Sequence, residues 1–326
     1  MIRKTFIHLL FLATIAFGAC AQSATEPATV YFTSEITPQS LVEIYKALGV
    51  TPSGNVAVKI STGESEQSNH LRPELIADLV KAVGGTLVEC NTAYGGNRST
   101  TENHRKAIAE RGYTAIAPVD IMDEEGSMLL PMQDTTYFAN NMVGSHLANY
   151  DFMVNLAHFK GHAMGGFGGV LKNQSIGVAS ADGKGLIHTA GRFANAASAF
   201  ETPTNGQDGF LEAMAGAAQS VHNYFKAKKG IIYINVMNNM SVDCDCNGHP
   251  DAPRMKNIGI LASLDPVALD KACLDLVFNH QSTEGDDSNP LIERINSRHG
   301  THIVDYAEQI GLGTTNYVIV DITPAH

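Results

Sequence analysis

Short apolar runs, amphipathic segments and polar glycine-rich stretches follow one another through most of the chain. Residues 30–33, 56–60, 86–90 and 150–156 are apolar or β-branched runs of strand length. Between them lie helical patterns. Thr37-Pro38 is a cap followed by proline at the first helical position, and the helix it opens runs to about Leu48. Over residues 73–83, Leu75, Leu79, Val80 and Val83 share one face, and Gly84-Gly85 ends the helix. A third helix spans about 101–111, followed by an apolar run at 113–118. Residues 120–134 predict a strand pair around Gly126, and 143–149 a short helix. Residues 176–181 predict a strand, and Asp182-Gly183-Lys184-Gly185 a turn. The second half adds a helix at 210–228, strands at 231–236 and 258–261, and a helix to about Asn279 capped by Asp265 before Pro266. Helices at 290–298 and 303–310 and a strand at 317–322 close the chain. The strand–helix alternation predicts an α/β fold, a mainly parallel sheet with helices on both faces, and right-handed crossovers. Its length also suits two lobes with a site between them, divided near the small-residue stretch 195–209.

The first residues break the pattern. Arg3 and Lys4 precede an apolar run from Phe6 to Phe17, which is too short to span a bilayer. Residues 1–21 read as a signal peptide and 22–29 as a short tether to a domain over 30–326. Ala19-Cys20-Ala21 fits cleavage before Gln22. Gly18-Ala19-Cys20 fits a lipobox that would lipidate Cys20, with Phe17 where leucine is usual. The expected location is the periplasm or a membrane surface, with membrane contact through a lipid anchor on Cys20. Without the leader, 20 basic residues face 33 acidic ones, a net charge of −13, which argues against a nucleic-acid partner.

The polar loops that follow strands carry the candidate chemistry, and in open α/β sheets such loops gather at one edge. The loop from Ser61 holds Glu64, His70 and Arg72; the next holds Tyr94 and Arg98. These five are the substrate-binding candidates, the arginines as carboxylate clamps. After 150–156 come His158, Lys160, His162, Gly166, Gly168, Gly169, Lys172 and Asn173. Four glycines argue against a helical metal pair, so His158 and His162 stand as acid/base candidates. Lys172 can hold an anion or form a covalent adduct, and no phosphate-loop order of residues is present. Asp243-Cys244-Asp245-Cys246, with His249, crowds thiolates, carboxylates and an imidazole after a strand. That makes Asp243, Cys244, Cys246 and His249 the metal-ligand candidates for zinc, iron or nickel. A bridge between two cysteines this close would be strained, so a metal or a free thiol pair fits the spacing better.

Several stretches resemble the domain-of-unknown-function family 362 (DUF362), whose members are commonly labelled Fe–S centre proteins. They are His70-Leu71-Arg72-Pro73-Glu74-Leu75, Asn91-Thr92-Ala93-Tyr94-Gly95-Gly96-Asn97-Arg98, His158-Phe159-Lys160-Gly161-His162, the run Gly166 to Asn173, Cys244-Asp245-Cys246, and Ile258 to Asp270. The ferredoxin-like cysteine insert of many members is missing, since residues 189–209 contain no cysteine. A single [4Fe-4S] cluster would then need Cys90 and Cys273 to converge with Cys244 and Cys246. The order His162, glycine-rich turn, Lys172, together with Leu71-Arg72-Pro73, is similar to that of nickel-pincer lactate racemases. This resemblance implies Lys172 and the glycines and Asn173 around it as cofactor-binding, His158 and His162 as acid/base groups, and Arg72 as a carboxylate clamp. The expectation is an exported metal- or cofactor-dependent enzyme acting on a small anionic metabolite by redox chemistry or proton or hydride transfer. The alternatives are a non-catalytic metal- or ligand-binding lipoprotein and an iron–sulfur protein with one cluster.

Overall fold

In the computed structural model, which describes residues 26–325, the apolar runs assemble into one eight-stranded sheet among the described residues. The expected leader, its expected cleavage site and Cys20 lie outside them. The order begins β1 (Ala28–Thr33), α1 (Pro38–Ala47), β2 (Val56–Lys59), α2 (Pro73–Val83), β3 (Gly85–Glu89), α3 (Thr101–Glu110), β4 (Val119–Ile121), β5 (Ser127–Pro131) and β6 (Asn140–Gly144). It continues β7 (Phe152–His158), β8 (Lys160–His162), β9 (Gly166–Gly168), α4 (Val170–Ser175), α5 (Ala181–His188), α6 (Gly206–Lys226) and β10 (Gly230–Met237). The last elements are β11 (Gly259–Ser263), α7 (Pro266–Phe278), α8 (Asn289–Ser297), α9 (His302–Gln309) and β12 (Tyr317–Asp321). The strand order is β12-β1-β11-β10-β7-β2-β3-β4, parallel except for β11, which runs antiparallel to β1 and β10. β1 begins at Ala28, two residues inside the expected tether.

The central strands are buried on both faces, so successive side chains feed two cores. Val154 and Ile234 join Leu41, Ile44, Ile76 and Leu79 under α1 and α2. Met153 and Tyr233 join Phe210, Met214 and Val221 under α6, with α4, α5, α7 and α9 on the same side. The helix starts follow their caps. The Thr37 side chain accepts from Ser40 N, and Asp265 Oδ1 accepts from Val267 N (2.8 Å) and Ala268 N (3.0 Å).

Three local expectations change. β5 pairs with β6 rather than with a strand across Gly126, and the expected helix at 143–149 is the end of β6 followed by a 3-10 turn, Ser145–Asn149. The expected strand and turn at 176–185 give way to α5, capped by Ser180. Gly183 and Gly185 read as turn residues, yet Gly183 lies so close to the Met142 carbonyl that a Cβ would collide with it. The glycine here serves close packing of a helix on β6. The expected loop at 158–173 is a small hairpin, β8–β9, leading into α4.

Candidate functional site

A cavity of about 240 Å³ opens over the C-terminal ends of β2, β3 and β7 and against the loop after β10. Charged residues at the ends of buried strands make its floor. Lys59, the last residue of β2, donates to the Ile60 carbonyl (2.5 Å) and to Asn173 Oδ1 (3.0 Å). Burial pulls its pKa down to about 8. Asn173 is fixed in turn by donating to Asn155 Oδ1 (2.7 Å) and the Lys59 carbonyl (3.0 Å). Glu89, at the end of β3, accepts from Arg98 Nη1 (3.2 Å), pairs with His104 Nε2 (3.1 Å) and accepts from the Thr62 hydroxyl. Burial alone would raise its pKa, but the His104 hydrogen bond and the Arg98 charge hold it well below the carboxylate range. Arg98 is engaged on every side, by Glu64 (3.3 Å), by Glu89 and by the Tyr94 hydroxyl (2.9 Å).

The end of β7 and the β8 strand supply the next wall. His158 Nδ1 faces Asp245 Oδ1 (2.8 Å) and Nε2 faces the Asn238 carbonyl (2.5 Å). Both ring nitrogens are thus engaged by protein acceptors. Lys160 Nζ binds the other Asp245 oxygen at 2.8 Å, and the Lys160 charge together with the His158 contact outweighs burial and holds Asp245 ionised. His162 differs. Its Nδ1 accepts from Gly165 N (2.8 Å) and Met164 N (3.3 Å), so the neutral ring carries its proton on Nε2. Burial first, then the neighbouring Lys172 charge, push its pKa well below the ordinary value. The geometry thus presents His162 as a neutral N–H donor.

Lys172 sits in α4, whose first amides are held by Asp270 of α7: Val170 N to Oδ1 (2.9 Å) and Leu171 N to Oδ2 (3.0 Å). Its ammonium makes no hydrogen bond or ion pair among the described residues. Burial and the Lys160 charge bring its pKa down to about 7. Lys184 and His188 reach the same cavity from α5. Lys184 donates to the Ala179 carbonyl (2.5 Å), while His188 Nδ1 is buried without a partner and burial lowers its pKa to about 3.

Other sequence candidates lie elsewhere. Arg72 points to the Glu66 and Ser68 carbonyls and to His70 Nε2, and neither Arg72 nor His70 lines the cavity. Glu64 supports Tyr94 and Arg98 from behind. Gly166 packs on Gly300 and Ile295, whereas Gly168 and Gly169 line the cavity. Asp243 pairs with Arg294 (2.8 Å), and His249 Nδ1 with Gln67 (2.5 Å). They do not accompany the cysteines. His162 does: one donor atom from each of His162, Cys244 and Cys246 lies within 4.8 Å of the others, a group of metal-binding size. The two sulfurs are joined as a disulfide. With that bond reduced, the three donors could hold a metal ion. Cys90 and Cys273 are buried free thiols outside that group, so four sulfurs do not converge among the described residues.

Sequence reasoning missed Lys59, Glu89, Lys184, Asp245 and Asp270 as site residues. The readable signal for the first two was a charge near the end of an otherwise apolar run, Val56 to Ile60 and Thr86 to Cys90.

Residues 56–275 match the family model described as "Domain of unknown function (DUF362)". No curated protein matches. Among solved structures, a protein from Thermotoga maritima is 12% identical with a TM-score of 0.39, over 61% of this chain and 49% of that one. The lactate racemase apoprotein from Thermoanaerobacterium thermosaccharolyticum is 13% identical with a TM-score of 0.41, over 76% of this chain and 56% of that one. The chain thus spans about half the length of the solved structures it matches.

Proposed function

We propose, for a chain that belongs to the DUF362 family, an enzyme that moves a proton at the carbon beside the carbonyl or carboxyl group of a small anionic metabolite. One observation carries the reading: Lys172 presents a half-buried, unpartnered amine to a cavity lined by several other cations. An amine with a pKa of about 7 is half free base at neutral pH, the condition that suits a general base. In the step, the Lys172 Nζ lone pair takes the proton from the substrate carbon. The electron pair left behind moves onto the adjacent oxygen, and the proton returns from the Lys172 ammonium to carbon. His162 Nε2–H is the donor suited to that oxygen, because a neutral imidazole stays a donor and does not protonate the intermediate. Lys160, held by Asp245, lines the same cavity. No step is assigned to a metal. The leader-like N-terminus makes the substrate pool an extracytoplasmic one in this reading.

The test is exchange of carbon-bound hydrogen in D₂O across a panel of small 2-hydroxy, 2-oxo and 2-amino acids, followed by proton NMR. Exchange is expected to fall about 100-fold or more in Lys172→Met. A panel that binds without exchange would favour the non-catalytic ligand-binding alternative, and exchange unaffected in Lys172→Met would remove the assigned base.

A further inference from the structure

The carboxylates around the cavity are already committed. Asp245 neutralises Lys160 and His158, and Glu89 and Glu64 hold Arg98. Lys59, Lys172 and Lys184 have no ion pair among the described residues. Their polar contacts are neutral: two for Lys59, one carbonyl for Lys184, none for Lys172. Three amines brought from β2, α4 and α5 to one cavity, Lys59 and Lys184 buried and Lys172 half-buried, none with an ion pair of its own, are costly as ammonium groups unless a ligand completes them. In accord with this, burial depresses the pKa of all three.

Resting on the reading above, we infer that Lys59, Lys172 and Lys184 form the floor of a subsite for a group carrying two negative charges on oxygen, so that the substrate is a dianion. Even with Lys172 as the free base of that reading, a monocarboxylate leaves one of the other two ammonium groups uncompensated. Lysines act as mobile point charges rather than as planar forks, so they suit an oxyanion approached from several sides. Room is left for it. Gly168 and Gly177 both line the cavity and, having no side chains, take none of its volume. The orphan His188 Nδ1 is a further polar contact on the same wall. The volume of about 240 Å³ lies below the range of drug-sized sites, which limits the ligand to a small metabolite.

Isothermal titration of the full chain with inorganic phosphate, malonate and acetate at matched ionic strength and pH 7 tests this. At least one dianion is expected to bind about ten-fold or more tightly than acetate, and Lys59→Gln or Lys184→Gln to erase that preference. Phosphate alone points to a phosphate ester, and malonate alone to a dicarboxylate. Acetate binding as tightly as both dianions, no dianion binding, or a preference retained in both variants overturns the inference. Circular dichroism checks each variant. Lys184→Gln carries the test if Lys59→Gln, which also loses the contact to Asn173, does not fold. The two readings fail separately: lost dianion preference with exchange intact removes the subsite, and lost exchange with the preference intact removes the assigned reaction.

Discussion

Lys172 and His162 lie ten residues apart, and the fold gives them opposite protonation logic. Unfolded, Lys172 keeps its proton up to about 10.5; folded, only to about 7. Between those values the unfolded chain binds more protons, so this group makes stability rise with pH. Its cost is fully felt below about 7 and gone above about 10.5. Lys172→Met is therefore expected to raise the urea midpoint at pH 6 and to leave it nearly unchanged at pH 10.5, while activity of the unaltered protein climbs through pH 7. A variant midpoint gain equal at both pH values would show that the lysine is not buried as an amine. His162 does not titrate in this range, so its substitution should scale the activity profile without moving it. His162→Gln keeps an N–H near the Nε2 position and is expected to retain more activity than His162→Ala, which should lose about 100-fold or more if a donor to developing charge is removed. The pairing of His162 with Lys172 was readable from the motif. The role of His162 was not, because it is set by two backbone amides, of Met164 and Gly165, whose direction depends on the hairpin turn.

At the scale of elements, what was readable had a local cause. Thr37, Asp265 and Pro73 announced helix starts, and Gly84, in a left-handed conformation at φ 61°, announced an end. The misreadings had non-local causes. β6 owes its existence to pairing with β5, and α5 carries two glycines because other backbone passes against them. This makes Gly183 the sharper probe of the element. Gly183→Ala would improve intrinsic helix propensity and still should destabilise the protein, by roughly 1–3 kcal/mol, as the new methyl group is driven into the Met142 carbonyl. A urea midpoint that rises instead would mean that α5 does not rest on β6. Because Lys184 and His188 ride on α5, the same substitution should weaken whatever the cavity binds.

Across the whole molecule, the sequence pattern announced alternation and layers, but not which strands meet. β1, the first strand, lies between β12, the last, and β11, so the edge of the sheet is closed by chain ends hundreds of residues apart. No local pattern encodes that pairing. The family match at 56–275 covers every residue assigned to the cavity yet omits β1, α1, α8, α9 and β12. Those parts are structural necessities for the site. Val30 is fully buried in the same core as Ile295, Ile303, Val304 and Ala307 of α8 and α9, and Arg294 ties down the cysteine loop through Asp243 Oδ1 (2.8 Å) and the Val242 carbonyl (3.2 Å). A chain cut to residues 56–275 would leave the β11 edge unpaired and strip cover from that core, an arrangement that invites edge-to-edge association. It is expected to elute as aggregate on size exclusion and to lose its near-ultraviolet tyrosine signal. A monomeric, cooperatively unfolding 56–275 fragment would show instead that the matched region is a self-sufficient domain and that the two ends of the chain are additions to it.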